Sequence, residues 1–172
     1  MNKKPDVITT PRLRLGPVGD EQEDAVIDLL AKEEVGRTYM LPEFTCREQV
    51  YRVFDTYRQR SRAEDRFVYG IYRDEVLVGL LNDVCIENGG IELGYIIHPD
   101  HKNQGYATEA LAGATKALFD MGFSRVRTGA FPENIPSIRV MEKCGMVRLE
   151  ETETLEYRGK TYHCVLFEKY PE

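Results

Sequence analysis

The stretch that decides the fold is residues 91–111, Ile91-Glu92-Leu93-Gly94-Tyr95-Ile96-Ile97-His98-Pro99-Asp100-His101-Lys102-Asn103-Gln104-Gly105-Tyr106-Ala107-Thr108-Glu109-Ala110-Leu111. Its opening is apolar and β-prone until Pro99 stops it. A short polar loop containing Gly105 follows. Ala107, Ala110, Leu111, Ala114, Leu118 and Met121 then recur at the spacing of one apolar helix face. Strand, tight loop and helix in this order aim backbone N–H groups at a point above the helix N-terminus. The unpaired donors and the partial positive charge there favour an anion. Gly105 permits close backbone approach and Ala107 leaves room, so the loop suits a pyrophosphate. From the local pattern alone, an ordinary turn is the better account. No glycine-preceded Walker lysine and no G-x-G-x-x-G accompanies it, which disfavours nucleoside triphosphates and dinucleotides.

Upstream of this stretch, Asn88-Gly89-Gly90 signals a hairpin. Residues 67–72 and 76–81 read as two strands around Arg73-Asp74-Glu75. Three antiparallel strands thus lead into the organising segment. Asp20 is the expected N-cap of a first helix with Ala25, Val26, Leu29 and Leu30 on one face, fading near Gly36. Residues 37–44, with Pro42, read as irregular. Thr45 with Glu48 three residues on predicts a capping box for a second helix, with Val50, Phe54 and Tyr57 on its apolar side. The arginines at 47, 52, 58, 60, 62 and 66 are balanced by Glu48, Asp55, Glu64 and Asp65, a solvated face rather than an anion-binding strip. Arg12-Leu13-Arg14-Leu15 alternates as a first strand, and residues 1–10 read as a flexible lead-in.

Downstream, Gly122 ends the long helix and residues 126–130 read as a strand. Asn134 caps a short helix that tolerates Pro136 in its first turn and stops at Gly145. Residues 146–153 and 161–168 alternate as a closing strand pair around Tyr157-Arg158-Gly159-Lys160.

The chain of 172 residues, 42% hydrophobic and 30% charged, reads as one soluble domain over residues 1–172. A net charge of −6 speaks against a nucleic-acid surface. An anionic cofactor must therefore be held by local donors, while a cationic amine meets a favourable field. The four cysteines lack C-x-x-C spacing and read as free thiols of a reducing compartment. The three histidines form no metal-ligand pattern, so no metal is expected. No apolar run approaches membrane-spanning length and the start lacks a signal-like apolar core; a cytoplasmic protein without a membrane partner is expected.

Lys102-Asn103-Gln104-Gly105-Tyr106-Ala107 resembles the acetyl-CoA pyrophosphate loop of the GNAT N-acetyltransferase superfamily, Q/R-x-x-G-x-G/A, with Lys102 where Gln or Arg is usual. Its flanks, and Thr10-Pro11-Arg12-Leu13-Arg14-Leu15 near the start, resemble the RimJ/RimL-type branch, whose members include ribosomal-protein-alanine N-acetyltransferases. The stretch from Asn134 to Met146 resembles the second GNAT motif, N-x-x-S-x-x-v-x-E-K-x-G-F, with Asn134 and Ser137 in place and Met146 where Phe is usual. The two motifs stand in the right order and spacing, and the resemblance covers nearly the whole chain.

That resemblance implies an α/β (α+β) GNAT acyl-CoA N-acyltransferase fold: a mixed, mostly antiparallel sheet of about seven strands flanked by helices, with two central strands splayed. It implies acetyl-CoA as co-substrate. The pantetheine arm pairs with the backbone of Ile96, Ile97 and His98. The diphosphate rests on Lys102, Asn103, Gln104, Gly105, Tyr106 and Ala107, and Asn134 and Ser137 face the cofactor. A primary amine attacks the thioester directly, without a covalent enzyme intermediate. Such an amine is mostly protonated at neutral pH and benefits from a base. Glu92 is the leading candidate, with Glu133, Glu153, Glu156, His98 and bulk water as alternatives. Ser137 or Tyr106 could protonate the departing sulfur. Tyr39, Met40, Phe44, Tyr51 and Tyr57 are candidate walls of the acceptor site. The acceptor is read as a protein N-terminal α-amine, with small amines such as polyamines, aminoglycosides or amino acids as the alternative. The rival from another class is a non-catalytic acyl-CoA-binding module. A homodimer is common in the family.

Overall fold

A computed structural model describes residues 2–172. Met1 lies outside the described residues. The elements run β1 (Ile8–Thr9), β2 (Arg14–Gly16), α1 (Glu23–Ala31), α2 (Glu33–Thr38), α3 (Arg47–Arg62), β3 (Tyr69–Arg73), β4 (Val76–Glu87), β5 (Gly90–Ile97), α4 (Tyr106–Met121), β6 (Arg125–Ala130), α5 (Ile135–Lys143), β7 (Val147–Tyr157) and β8 (Lys160–Lys169). They form a single sheet in the order β1-β2-β3-β4-β5-β6-β8-β7. Every neighbouring pair is antiparallel except β5 and β6. That pair is parallel because α4 carries the chain back across the sheet between them.

The sheet separates two apolar cores. On one face Leu15, Ile71, Leu93 and Val126 pack against Ala110, Leu111, Ala114 and Leu118 of α4 and Met141 of α5. On the other, Val68, Leu80 and Ile96 pack against Val26, Leu29 and Leu30 of α1 and Val50 and Phe54 of α3. This is the mixed, mostly antiparallel α/β architecture expected, with eight strands rather than about seven.

The additional strand lies within the expected flexible lead-in, which is instead tied down. Thr10 donates its N–H to Leu13 O at 2.9 Å, closing a turn that lays Ile8 and Thr9 beside Leu15 and Arg14. Lys4 is buried, donating to Ser61 O at 2.8 Å and Ala63 O at 3.3 Å. These carbonyls belong to the negative end of α3, where a cation is favoured. Tyr69 completes the anchor, its hydroxyl donating to Pro5 O at 2.6 Å.

Two helix starts differ from the sequence reading. Asp20 opens a single 3-10 turn whose cap is Gly19, and Gln22 Oε1 accepts the Gly19 N–H at 2.8 Å. At α3 the cap is Cys46. Gln49 rather than Glu48 reaches back, accepting from Thr45 N at 2.7 Å, and Glu48 pairs with Arg52 at 2.7 Å. The arginine-rich face of α3 is ion-paired as expected, with Arg58 bound to Asp55 and Asp20, and Arg47 to Asp24. Strand β4 runs six residues past Leu81, where an irregularity between Asp83 and Cys85 breaks the alternation that periodicity relies on.

Candidate active site

The parallel register of β5 and β6 runs from Gly90 beside Arg125 to Leu93 beside Thr128, and stops there. Beyond that point β6 pairs only with β8 and β5 only with β4, so the sheet opens into a gap. His98 donates its N–H to Val78 O of β4 at 2.8 Å. By the period-two alternation of a strand, Ile96 and His98 turn their backbone polar groups toward β4, and Tyr95 and Ile97 turn theirs into the gap. Ile97 thus keeps its expected place at the free edge, and Tyr95 joins it. Ile96 is buried in the second core. The His98 ring is occupied: Nδ1 accepts the Asp100 N–H at 3.1 Å and Nε2 bonds Asp28 of α1 at 2.8 Å. That arrangement fastens the strand end to α1, with both ring nitrogens hydrogen-bonded.

The loop leading into α4 needs two residues in the left-handed region, Asn103 (φ 60) and Gly105 (φ 79). Asparagine and glycine adopt it most readily. Gly105 caps a 16-residue helix, and among the described residues no side chain bonds the first-turn N–H groups. Those donors and the helix's positive end stay available to an anion. Lys102 is ion-paired with Glu34 of α2. Tyr106 lies buried at the foot of the loop. Arg12, which sequence alternation reads only as a strand residue, also reaches this loop, donating to Gln104 O at 2.9 Å and to Glu109 Oε2 at 2.7 Å.

Across the gap, Asn134 Oδ1 accepts the Ser137 N–H at 3.3 Å and so caps α5. Ser137 Oγ shares a 2.8 Å hydrogen bond with the Tyr95 hydroxyl. Burial raises the Tyr95 phenol above its ordinary value, so it stays a neutral proton carrier. Tyr95 was invisible as a partner because alternation assigns it a face, not a neighbour on another element.

Ile91 and Leu93 are buried under α4, so Glu92 and Gly94 present to the opposite face. Glu92 has no hydrogen bond or ion pair among the described residues. Burial raises its carboxyl above the ordinary value, helped by the Glu153 and Glu87 charges and opposed by Arg127. Glu153 lies across the same face, next to Cys164 in the β7–β8 register. The other carboxylates considered as bases are engaged: Glu133 with Lys160 at 3.2 Å, and Glu156 with the Thr161 hydroxyl. The backbone N–H of Glu133 and then Lys160 hold the Glu133 carboxyl below its usual value.

Tyr39 closes the site from the side of α2. Its hydroxyl bonds Tyr57 at 3.1 Å and Asn82 Oδ1, and Tyr57 bonds the same oxygen at 3.2 Å. A Cβ on Gly94 would sit 3.2 Å from the Tyr39 hydroxyl, so the absence of a side chain lets the phenol reach the strand beside the gap. The wall itself is held from far along the chain. The Tyr157 hydroxyl contacts Gly36 O at 2.6 Å and both Tyr39 O and Leu41 O at 3.1 Å. Phe131 stacks between Tyr157 and Tyr162, with ring centroids 5.6 and 4.1 Å away. Of the other wall candidates, Met40 and Tyr51 are exposed and Phe44 packs against the second core. A cleft of about 250 Å³ opens here, lined by Arg37, Thr38, Phe131, Glu133, Asn134, Lys160 and Tyr162.

Among the described residues no group of three or more His, Cys, Asp or Glu is placed to hold a metal, and no helix is long and apolar enough to cross a membrane. Among the described residues the region offers a free strand edge, a helix N-terminus without a side-chain cap and a carboxylate without a partner. Comparison with known proteins identifies the family. An acetyltransferase (GNAT) domain model matches residues 12–147. The N-acetyltransferase YnaD of Bacillus subtilis, uncharacterised as to substrate, is 30% identical over 145 residues, covering 82% of each chain. YoaA of the same organism, also an uncharacterised N-acetyltransferase, is 26% identical over 144 residues, 81% of each chain. A GNAT-family acetyltransferase from Bacillus anthracis superposes with a TM-score of 0.82 at 22% identity, over 95% of this chain and 98% of that one. RimL, a ribosomal L7/L12 α-N-protein acetyltransferase solved with coenzyme A, superposes at 0.79 with 17% identity, over 98% of both chains. The family match takes in the strand carrying Glu92, the Lys102–Ala107 loop and the Asn134–Ser137 helix start alike, and the chain belongs to the GNAT acetyltransferase family as an acyl-CoA-dependent N-acetyltransferase.

Proposed function

We propose that the protein moves the acetyl group of acetyl-CoA to a primary amine, with Glu92 as the general base. The observation that carries this reading is Glu92 itself, a half-buried carboxylate without a partner, on the strand that parts from β6 one residue later. A buried carboxyl with a raised pKa and no structural task is a candidate for proton transfer. The residues fit acetyl-CoA: the free edge at Tyr95 and Ile97 suits the amides of the pantetheine arm, and the open N-terminus of α4 suits the diphosphate. The co-substrate supplies an activated thioester carbonyl. Glu92 takes a proton from the incoming ammonium, freeing the nitrogen lone pair to form the C–N bond. Gap-facing backbone N–H groups stabilise the negative charge gathered on the carbonyl oxygen. As the C–S bond breaks, its electron pair leaves with sulfur. The hydroxyl pair of Ser137 and Tyr95 returns a proton to that sulfur, Glu92 restores the hydroxyl proton through solvent, and the second surplus proton, left on nitrogen after the C–N bond forms, passes to water to leave the neutral amide.

The acceptor we favour is a protein N-terminal α-amine. The cleft beside Phe131 is open and lined by both charge signs, which suits a peptide backbone more than one compact ligand. The likeness to RimL points the same way, although at 17% identity it speaks to fold alone. An α-amine has a pKa near ~8, well below that of lysine, which eases the base's task. The test is acetyl transfer from acetyl-CoA to peptides starting with Ala or Ser, run beside polyamines, aminoglycosides and free amino acids. Turnover of the peptides at kcat/KM well above the small amines is expected. Efficient turnover of a small amine with none of any peptide would replace the acceptor assignment. Binding of acetyl-CoA without transfer to any amine would reduce the protein to a binding module.

A further inference from the structure

Lys102 occupies the loop position from which a long polar side chain could meet a diphosphate, but it is committed to Glu34. The cation beside the loop comes instead from Arg12, 92 residues from Gln104. Its guanidinium is built in from three sides. Nε donates to Glu109 Oε2 at 2.7 Å, Nη1 donates to Gln104 O at 2.9 Å, and the group lies over the Tyr106 ring with 5.1 Å to the centroid. Glu109 is itself anchored, its Oε1 accepting from Thr10 Oγ1 at 2.6 Å and from the Arg12 N–H at 2.7 Å. The remaining nitrogen, Nη2, has no partner among the described residues. It stands 3.2 Å from the point where a Cβ on Gly105 would lie. The Arg12 side chain is 46% exposed, while the Glu109 side chain behind it is only 14% exposed.

We propose that Arg12 is the positioning residue of the acyl-CoA loop and its phosphate cation: it holds the loop at Gln104 and presents Nη2 to the diphosphate over Gly105. This rests on the acyl-CoA reading of the loop. A planar guanidinium fixed by a half-buried carboxylate and a ring keeps one edge aimed outward, which suits phosphate oxygens and loses little freedom on binding. The helix N-terminus adds its own partial charge beneath it.

Titration of acetyl-CoA into the parent protein, Arg12→Ala, Arg12→Lys and Lys102→Ala, at low and at high salt, tests this. Arg12→Ala should bind at least tenfold more weakly at low salt, with the gap narrowing at high salt as the charge contact is screened. Arg12→Lys should recover part of the affinity by restoring charge without the fork. Lys102→Ala should lose less affinity than Arg12→Ala, because its ammonium is drawn to Glu34. Circular dichroism and melting curves check that each variant is folded. If folded Arg12→Ala binds as the parent does, or loses affinity by the same factor at both salts and is not rescued by lysine, the assignment is wrong. Should the parent itself fail to bind acetyl-CoA at millimolar concentration, the cofactor reading of the loop falls, and this inference with it. Loss of binding in Lys102→Ala with Arg12→Ala unaffected would move the role to Lys102.

Discussion

The loop proposed to hold the cofactor and the wall proposed to meet the acceptor are made in opposite ways. The loop is contiguous: β5, Lys102 to Ala107 and α4 follow one another in the chain, and its geometry comes from Pro99, Asn103 and Gly105. The wall at residues 36–41 has little regular structure of its own beyond the end of α2. It is shaped by a phenol on β7 more than a hundred residues away. A family can therefore keep the first with a short motif while altering the second by changes anywhere along β7. If the proposed assignments are right, cofactor binding and acceptor choice should be separable by substitution.

The largest expected effect separates chemistry from binding. Glu92→Gln should lower kcat by something like ~100-fold at neutral pH, a usual scale for loss of a general base. Acetyl-CoA affinity, measured by calorimetry, should hardly move. In the parent, the acid limb of kcat/KM should fall above the ordinary carboxylate value of 4.5, because burial raises the Glu92 carboxyl. The mutant's deficit should shrink at high pH, where the amine is already neutral. Parallel rate profiles for mutant and parent across the whole range would shift attention to Glu153, which shares the face.

On the cofactor side, Gly105→Val should weaken acetyl-CoA by at least tenfold, about 1.4 kcal/mol. The backbone there has φ 79, which a β-branched residue strongly resists, and the side chain would enter the space beside Arg12. Acceptor KM measured at saturating acetyl-CoA should stay within a factor of two. A mutant that binds the cofactor normally but loses the acceptor would contradict the division between the two regions.

The reciprocal change is Tyr157→Phe. It removes the hydroxyl from Gly36, Tyr39 and Leu41 while keeping the ring stacked on Phe131. Acceptor KM should rise a few-fold and acetyl-CoA affinity should be unchanged. The net loss of stability should be about 1 kcal/mol, read from chemical denaturation. If KM for the acceptor did not move, the wall would not contact the substrate.

The smallest effect concerns stability and carries the opposite sign from activity. Because the folded pKa of Glu92 is raised, the native state holds that proton more tightly than the unfolded chain. Its ionisation therefore costs stability as pH rises through the window from about 4.5 to the folded value, and the cost is full above it. Glu92→Gln should melt slightly higher than the parent at pH 7 and equally at pH 4. A lower melting point at neutral pH would mean that the carboxylate has a structural partner.

Much of this architecture was legible in the chain because its signals are local. The apolar spacing of α4, the Asn-Gly hairpin at 88–89, the Asn134 cap and the order of the two motifs each depend on residues a few positions apart, and each recurs in the structure. The additional strand was not legible. Ile8 and Thr9 are too short to show a period, and their anchor, Lys4 on the carbonyls closing α3, spans almost sixty residues. The exit of β4 was lost where an irregularity shifts the register at Asp83. In the site, Glu92 and Ser137 could be singled out. The tasks of His98 and Lys102 could not, because they follow from Asp28 and Glu34 on helices that the sequence does not bring near them. Tyr95, Tyr157 and Arg12 carry no signal beyond alternation, and their roles exist only once elements meet.

The two outer strands of the sheet have a bearing on the protein's life before and after folding. An open sheet edge is a template for unwanted pairing between chains. Here one border is β1, only two residues long. The other is β7, whose register with β8 shifts between Arg148 and Thr152 and which carries Glu150, Glu151, Glu153 and Glu156 along its length. A second copy approaching this border would bring like charges face to face on a strand that is not straight. Strand-to-strand aggregation is thus discouraged at both ends of the sheet.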